Sequence, residues 1–399
     1  MHFNILLLAL LPAALGAPAS SKSNSRLAPL KYAPDKNDVV PNSYIVKFKD
    51  SGGAITALDD VLSTVDFKKG RRNRVLKNVF SGFTSTLDEA ALKAIRENPA
   101  VEYVEQDSVV TASGWVTQKN APWGLARISS RKAGKTGYVY GSSGGQGTCS
   151  YIIDTGVQAN HPEFGGRAVQ LASFVDGTTD DNGHGTHVAG IIGSKTYGVS
   201  KRTKLIGIKV LSASGAGSIS SVLAGLDLVV SDSKTRSCPK GVYVNMSLGG
   251  GYSSAMNSGA KKLVAEHGIF VAVAAGNSGE DASNSSPASE PSVFTVGSIG
   301  SDDSRSDFSN YGSLVDIFAP GENVLSTWPG SSTKQLSGTS MATPHITGLA
   351  AFIGGRENYK VRSASAMTAR IIQLATNNAL SGLGANDVNR LPFNANPKG

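Results

Sequence analysis

The chain has 399 residues, 40% hydrophobic and 17% charged, a globular composition long enough for more than one domain and unlike that of a disordered polymer. Its formal net charge is +8, but the basic residues are scattered and accompany no nucleic-acid fold signature, so a nucleic-acid partner is not expected. One cluster, Lys68-Lys69-Gly70-Arg71-Arg72-Asn73-Arg74, stands out; it reads as a solvated loop or a processing site for another protease.

The first segment, residues 1–16, holds the apolar run Ile5-Leu6-Leu7-Leu8-Ala9-Leu10-Leu11 and ends in small residues, the pattern of a secretory signal peptide. The run is well short of the roughly 20 apolar residues a bilayer crossing needs, and no second one follows. The expectation is a secreted, extracellular product without a membrane partner.

Residues 17 to about 40, rich in Ser, Ala, Pro and Lys, read as a leader. From Asn42 the texture changes. Ser43 to Lys49 alternates as a half-buried strand, Asp88 to Asn98 has helical periodicity with acidic residues in its first turn, and Val101 to Glu105 alternates again. This predicts a small α+β module, which a polar stretch from Gln106 to about Asn120 links to the remainder.

Beyond Ala121, near-continuous apolar runs at 149–153, 205–210, 242–246 and 269–274 are bounded by Gly-rich turns. Helical stretches lie at 184–193, 218–231, 254–267 and 339–353. Buried strands joined through helices predict an α/β fold with a mostly parallel sheet covered on both faces, and such sheets gather functional groups at the carboxyl ends of their strands. Asp154 follows one such end. Two cysteines, Cys149 and Cys238, are free to form one bridge in an oxidising compartment or to remain buried thiols.

Three motifs carry the chemistry: Ile-Asp-Thr-Gly-Val with Asp154, His-Gly-Thr-His-Val-Ala-Gly with His184, and Gly-Thr-Ser-Met-Ala-Thr-Pro-His with Ser340. A serine hydroxyl is a weak nucleophile at neutral pH; it needs an imidazole to take its proton and a buried carboxylate to fix that imidazole's tautomer and charge. Each motif supplies one part. Ser340 falls at a helix start, where free N–H groups favour an oxyanion, and Asn277, after an apolar strand, offers a second donor or else merely caps a turn.

Each motif also has another reading. Asp-Thr-Gly resembles the aspartic-protease motif, but no second copy supplies the paired carboxylate. His184 and His187 are three apart and would suit a metal, yet the Glu of His-Glu-x-x-His is missing; His187 reads as structural. The Gly-rich loops at 141–147 and 215–218 complete no nucleotide fingerprint. A catalytically silent scaffold that binds peptides is the rival from a different class.

With these motifs in hand, the chain resembles the subtilisin-like serine proteases, within them the proteinase K-like and fungal cuticle-degrading group. The likeness runs from Ala121-Pro122-Trp123-Gly124-Leu125-Ala126-Arg127-Ile128 to the C-terminus, and the segment from 42 to 110 resembles the family's inhibitor I9-type propeptide. The resemblance implies a three-layer subtilisin-like fold preceded by a ferredoxin-like α+β propeptide domain, with a signal at 1–16, a propeptide at 17–114 and a peptidase domain at 115–399. It further implies a monomer, made as an autoprocessed zymogen, that hydrolyses proteins and peptides with broad preference for apolar and aromatic residues. Its own propeptide would serve as intramolecular inhibitor and folding aid, docking its sheet on the enzyme with the tail after Val104 in the cleft, and be cut between about Val110 and Val116.

Residue by residue, the resemblance implies Asp154 as orienting carboxylate, His184 as general base and acid, Ser340 as nucleophile and Asn277 as oxyanion donor. Gly215 and Ser247-Leu248-Gly249 would grip an extended peptide by main-chain hydrogen bonds, with Ala274 and Gly276 lining a wide first pocket. Pro291, Val293 and Asp316 would hold one structural Ca2+, with no cofactor in catalysis. Cys149 and Cys238 match one family disulfide. Phe294 replaces a cysteine of a second bridge, and Val188 replaces a free cysteine beside the catalytic histidine. Asn284 heads an accessible glycosylation sequon, whereas the sequon at Asn245 falls in a buried strand.

Overall fold

The computed structural model describes residues 27–32, 39–50, 61, 74–76, 78, 80–108, 114–357 and 363–399. The expected signal, most of the leader, the basic cluster up to Asn73 and residues 109–113 of the expected cut region lie outside them. The chain divides into two compact units, Met1–Val109 and Val110–Gly399.

In the first unit, strands β1 (Leu30–Lys31), β2 (Val39–Phe48), β3 (Arg74–Leu76), β4 (Gly82–Thr86) and β5 (Val101–Ser108) form a sheet of order β1-β5-β2-β4-β3. Helix α1 (Glu89–Glu97) starts where the acidic first turn predicts, with the Asp88 side chain accepting the Ala91 N–H at 2.8 Å. The alternating residues Val46, Phe48, Phe83, Val101 and Val104 pack with Ile95 into this unit's own core.

The second unit is built on seven strands in chain order: β6 (Cys149–Asp154), β7 (Ala168–Ser173), β8 (Lys204–Lys209), β9 (Val242–Met246), β10 (Phe270–Ala274), β11 (Phe294–Ile299) and β12 (Ile317–Pro320). Their order is β12-β11-β10-β9-β6-β8-β7, and every pair is parallel. The longer helices are α2 (His184–Gly193), α3 (Ile219–Thr235), α4 (Ser254–Ala265), α5 (Thr339–Glu357) and α6 (Ala364–Leu374); a short one spans Trp123–Ile128. Ser218, Ser253 and Ser363 cap α3, α4 and α6 through their side chains, each worth about 1 kcal/mol.

The strands are apolar on both faces. Tyr151, Ile153, Val244, Met246, Val271 and Val273 meet Val222 and Leu226 of α3 and Leu263 of α4; their alternates Tyr243, Phe270 and Ala272 meet Ile346, Leu349 and Phe352 of α5. This is the three-layer arrangement of the sequence expectation. Several boundaries differ: Asp154 is the last residue of β6 rather than the first beyond it, and β8 runs from Lys204 to Lys209, because the parallel ladder pairs Lys209 with Asp154. β10 starts one residue later than expected, and α3, α4 and α5 end two to four residues from their expected ends.

Cys149 and Cys238 are disulfide-bonded, which removes the free-thiol alternative and closes a separation of 89 residues. Chain entropy alone makes such a closure worth on the order of 4 kcal/mol. Phe294 is fully buried with its ring 5.5 Å from that of Phe270, an apolar contact.

Candidate active site

Three strand ends and two helix starts converge here. Asp154 ends β6 and is fully buried; its Oδ1 accepts the Thr155 N–H at 2.7 Å and faces the His184 Nδ1 at 2.7 Å. His184 is the first residue of α2. That helix comes close only because Gly185 lacks a side chain: a Cβ there would lie 2.0 Å from the Gly156 carbonyl oxygen and 3.2 Å from the Asp154 Cβ. Glycine is the residue for such backbone approach.

A second carboxylate ties the helix to the strand. Asp180 is buried and accepts the N–H groups of Gly183 and Thr186 at 2.8 Å each, along with the hydroxyls of Thr155 at 2.8 Å and Thr186 at 2.5 Å. Thr155 in turn accepts the Gly185 N–H at 2.9 Å. Burial works against the charged imidazolium of His184, but the charge and hydrogen bond of Asp154, with Asp180 farther off, hold its pKa above the usual 6.5.

His187 serves a different purpose. Its Nε2 faces the carbonyls of Val324 and Lys334 at 3.1 and 2.9 Å, its ring meets Trp328 edge-on, and burial pushes it down to about 4. A neutral imidazole donating from Nε2 to two carbonyls braces the hairpin of Val324–Trp328 and Ser332–Leu336, as the structural reading expects.

Ser340 is the second residue of α5. Its Oγ donates to the Ser247 carbonyl at 3.1 Å, and the Ser247 hydroxyl donates to the Ser340 carbonyl at 2.8 Å. Behind them the Asn245 amide donates to the Ser247 hydroxyl and accepts from Thr347, so the buried Asn245 is committed to this network. Its sequon is inaccessible, while Asn284 is exposed. Of the expected proton row, the Asp–His link is formed; the serine hydroxyl is turned to Ser247.

Asn277 follows the end of β10 and is exposed. Its Oδ1 accepts both the N–H and the hydroxyl of Thr339, at 2.8 and 2.9 Å, which leaves Nδ2 as its outward group. Gly338, at φ +155°, adjoins both groups: a Cβ there would lie 3.7 Å from the Nδ2 and Oδ1 of Asn277 and from the Ser340 N. Two N–H-bearing nitrogens thus flank one small space. Asn310 pins the loop beyond, accepting the N–H groups of Ser278 and Glu280 at 3.0 and 3.1 Å.

Two cavities open from this centre. One of about 470 Å³ is lined by His184, Gly215, Ser247, Leu248 and Gly249, with Leu211, Ile219, Val222 and Met256 as apolar walls. The other, of about 290 Å³, is lined by Leu248, Gly249, Ala274, Gly276, Asn277 and Ser340. The sequence-expected peptide-binding residues therefore fall on the walls of the two.

Pro291, Val293 and Asp316 lie apart from it, around β11 and β12. Burial pushes the Asp316 carboxyl up to about 6, although the Thr295 N–H donates to its Oδ2 at 2.8 Å and Arg390 is near. Asp316 is half-buried, and a carboxylate together with backbone carbonyls is the kind of oxygen donor set hard cations take. Sequence reasoning gave no role to Thr155, Asp180, Asn245, Asn310 or Thr339. Only Asp180 had a local signal, an acidic residue just before a helix start.

Residues 145–391 match the subtilase family, and residues 43–113 match peptidase inhibitor I9. The chain is 54% identical over 394 residues to the subtilisin-like serine protease AsES of Sarocladium strictum, covering 99% of each. It is 52% identical over 395 residues to the cuticle-degrading protease of Metarhizium anisopliae, covering 99% of this chain and 100% of the relative. Among solved structures, that of a cold adapted subtilisin-like serine proteinase is 43% identical, with a TM-score of 0.65, covering 69% of this chain and 99% of that one. The chain belongs to the subtilase family: it is a subtilisin-like serine protease that also carries a peptidase inhibitor I9 domain.

Proposed function

We propose that Ser340 is the nucleophile, His184 the general base and acid, Asp154 the orienting carboxylate, and that Asn277 Nδ2 and the Ser340 N–H hold the oxyanion. Rotation of the hydroxyl away from the Ser247 carbonyl brings it to His184, which takes the proton as Oγ attacks the peptide carbonyl. The tetrahedral oxyanion collapses to an acyl-enzyme as His184 returns the proton to the leaving amine. Water, deprotonated by His184, then releases the acid and restores the serine. The observation that carries this reading is the 2.7 Å contact between Asp154 and His184 beside two N–H donors flanking one space. A serine-directed acylating reagent should label the mature protein at Ser340 alone; no labelling would favour the silent peptide binder.

The cavity walled by Ala274, Gly276 and glycines at 249–251 supports broad acceptance of apolar and aromatic residues before the scissile bond. The chain would leave the cell through its signal and mature between about Val110 and Val116, with the N-terminal module acting as inhibitor until cut; the inhibitor I9 match ending at 113 supports that boundary. Among the described residues, no helix is long and apolar enough to cross a membrane.

The carbonyls of Pro291 and Val293 and the Asp316 carboxylate would hold one calcium ion, which when bound neutralises a half-buried charge and ties the start of β11 to that of β12. Chelation should lower the thermal midpoint by about 5–10 °C relative to calcium at roughly a hundredfold above its Kd. Asp316→Asn should abolish that difference. A midpoint indifferent to calcium in the unmodified enzyme would remove the site.

A further inference from the structure

Among the residues lining the 290 Å³ cavity, one carries a formal charge: Glu280. It is half-buried, and its backbone is already engaged, the N–H with Asn310 Oδ1 at 3.1 Å and the carbonyl with the Tyr311 N–H at 3.0 Å. Its carboxylate makes no ion pair or hydrogen bond among the described residues. The neighbouring Asp281, by contrast, spends its carboxylate on the Ser283 N–H. The rest of the wall is uncharged: Leu248 and Ala274 are apolar, Gly249, Gly250 and Gly276 present backbone, and Asn277 and Ser285 are neutral polar groups.

We propose that Glu280 makes this pocket dual, taking a lysine or arginine before the scissile bond in addition to apolar side chains. The inference rests on the reading of the cavity as the first substrate pocket. A long basic side chain lays its methylene stem along an apolar wall and keeps its charged head in reach of water and of an acceptor. A carboxylate without a partner provides that acceptor, and a half-buried position weakens solvent screening of the pair. Because Asn310 fixes the loop backbone, the carboxylate is presented from a held position rather than from a free chain end.

The test compares three peptide anilides differing only before the scissile bond: phenylalanine, lysine and Nε-acetyl-lysine, the last with the stem but without the charge. With each enzyme normalised by active-site titration, the native protein should prefer lysine over acetyl-lysine by roughly three- to fivefold in kcat/KM at low salt, the size of a solvent-accessible ion pair. The preference should shrink at high salt. Glu280→Gln should bring the ratio to about one, and Glu280→Lys should invert it. A native ratio of one, or a ratio unchanged in Glu280→Gln, overturns the inference while leaving the protease reading intact. Failure of the native protein to cleave even the phenylalanine peptide defeats the protease reading and takes this inference with it.

Discussion

Replacing Ser340 by alanine should leave a folded protein whose turnover falls about 10⁶-fold, a magnitude that is subtilisin's own and is carried here by family membership. The stability cost is small because the hydroxyl makes a single hydrogen bond, to the Ser247 carbonyl at 3.1 Å, in a partly open position. Such a bond contributes about 1 kcal/mol. The catalytic cost is large because no neighbouring group substitutes: Ser247 commits its hydroxyl to the Ser340 carbonyl, and His184 without a nucleophile has only water to activate. His184→Ala should lose about as much, and the double variant little more, since the two act as one unit.

The same variant reports on maturation. Native protein should begin between about Val110 and Val116, whereas Ser340→Ala should accumulate with the inhibitor module attached. N-terminal sequencing and peptide hydrolysis together read both outcomes. Residual activity above about 1% of native, with processing unchanged, would remove Ser340 from the chemistry.

The parts of this site that the sequence makes legible are those confined to short segments. His184 begins α2 where the motif's glycines and the following apolar run say a helix should start, and Asn277 follows an apolar strand as expected. The central sheet is equally readable, because strands buried on both faces have little polar interruption. The supports are not legible, because each joins ordinary polar residues far apart in the chain. Asp180 meets Thr155 from 25 residues away, Asn310 holds Glu280 from 30, and Thr339 holds Asn277 from 62. A threonine or asparagine has many local uses, and nothing in its neighbours reveals which distant group it satisfies. The orientation of the Ser340 hydroxyl is a rotamer, which motif spacing does not encode.

Those hidden supports sharpen the expectation for Asn277. An amide free to spin would spend part of its time presenting oxygen to the oxyanion; here Thr339 donates twice to Oδ1, so Nδ2 is held as the donor before substrate arrives. Preorganised donors matter most where charge develops, and the carbonyl oxygen reaches them only as the carbon becomes tetrahedral. Asn277→Leu, close in size but without the donor, should therefore lower kcat ~10²- to 10³-fold with KM nearly unchanged, again the magnitude known for subtilisin's own asparagine. Thr339→Val keeps the N–H to Oδ1 but removes the hydroxyl, which donates to Oδ1 and also accepts the Gly276 N–H at 3.2 Å, so it should cost roughly tenfold or somewhat more, the range of one to two hydrogen bonds. Gly338 offers an independent handle on the same space, because a methyl placed there would stand 3.7 Å from both donor nitrogens. Gly338→Ala, with its added strain at φ +155°, should lower kcat at least as far as Asn277→Leu. Steady-state kinetics on one good peptide substrate decides the matter: a loss in Asn277→Leu below tenfold, or one confined to KM, would mean that the amide binds the ground state or nothing at all.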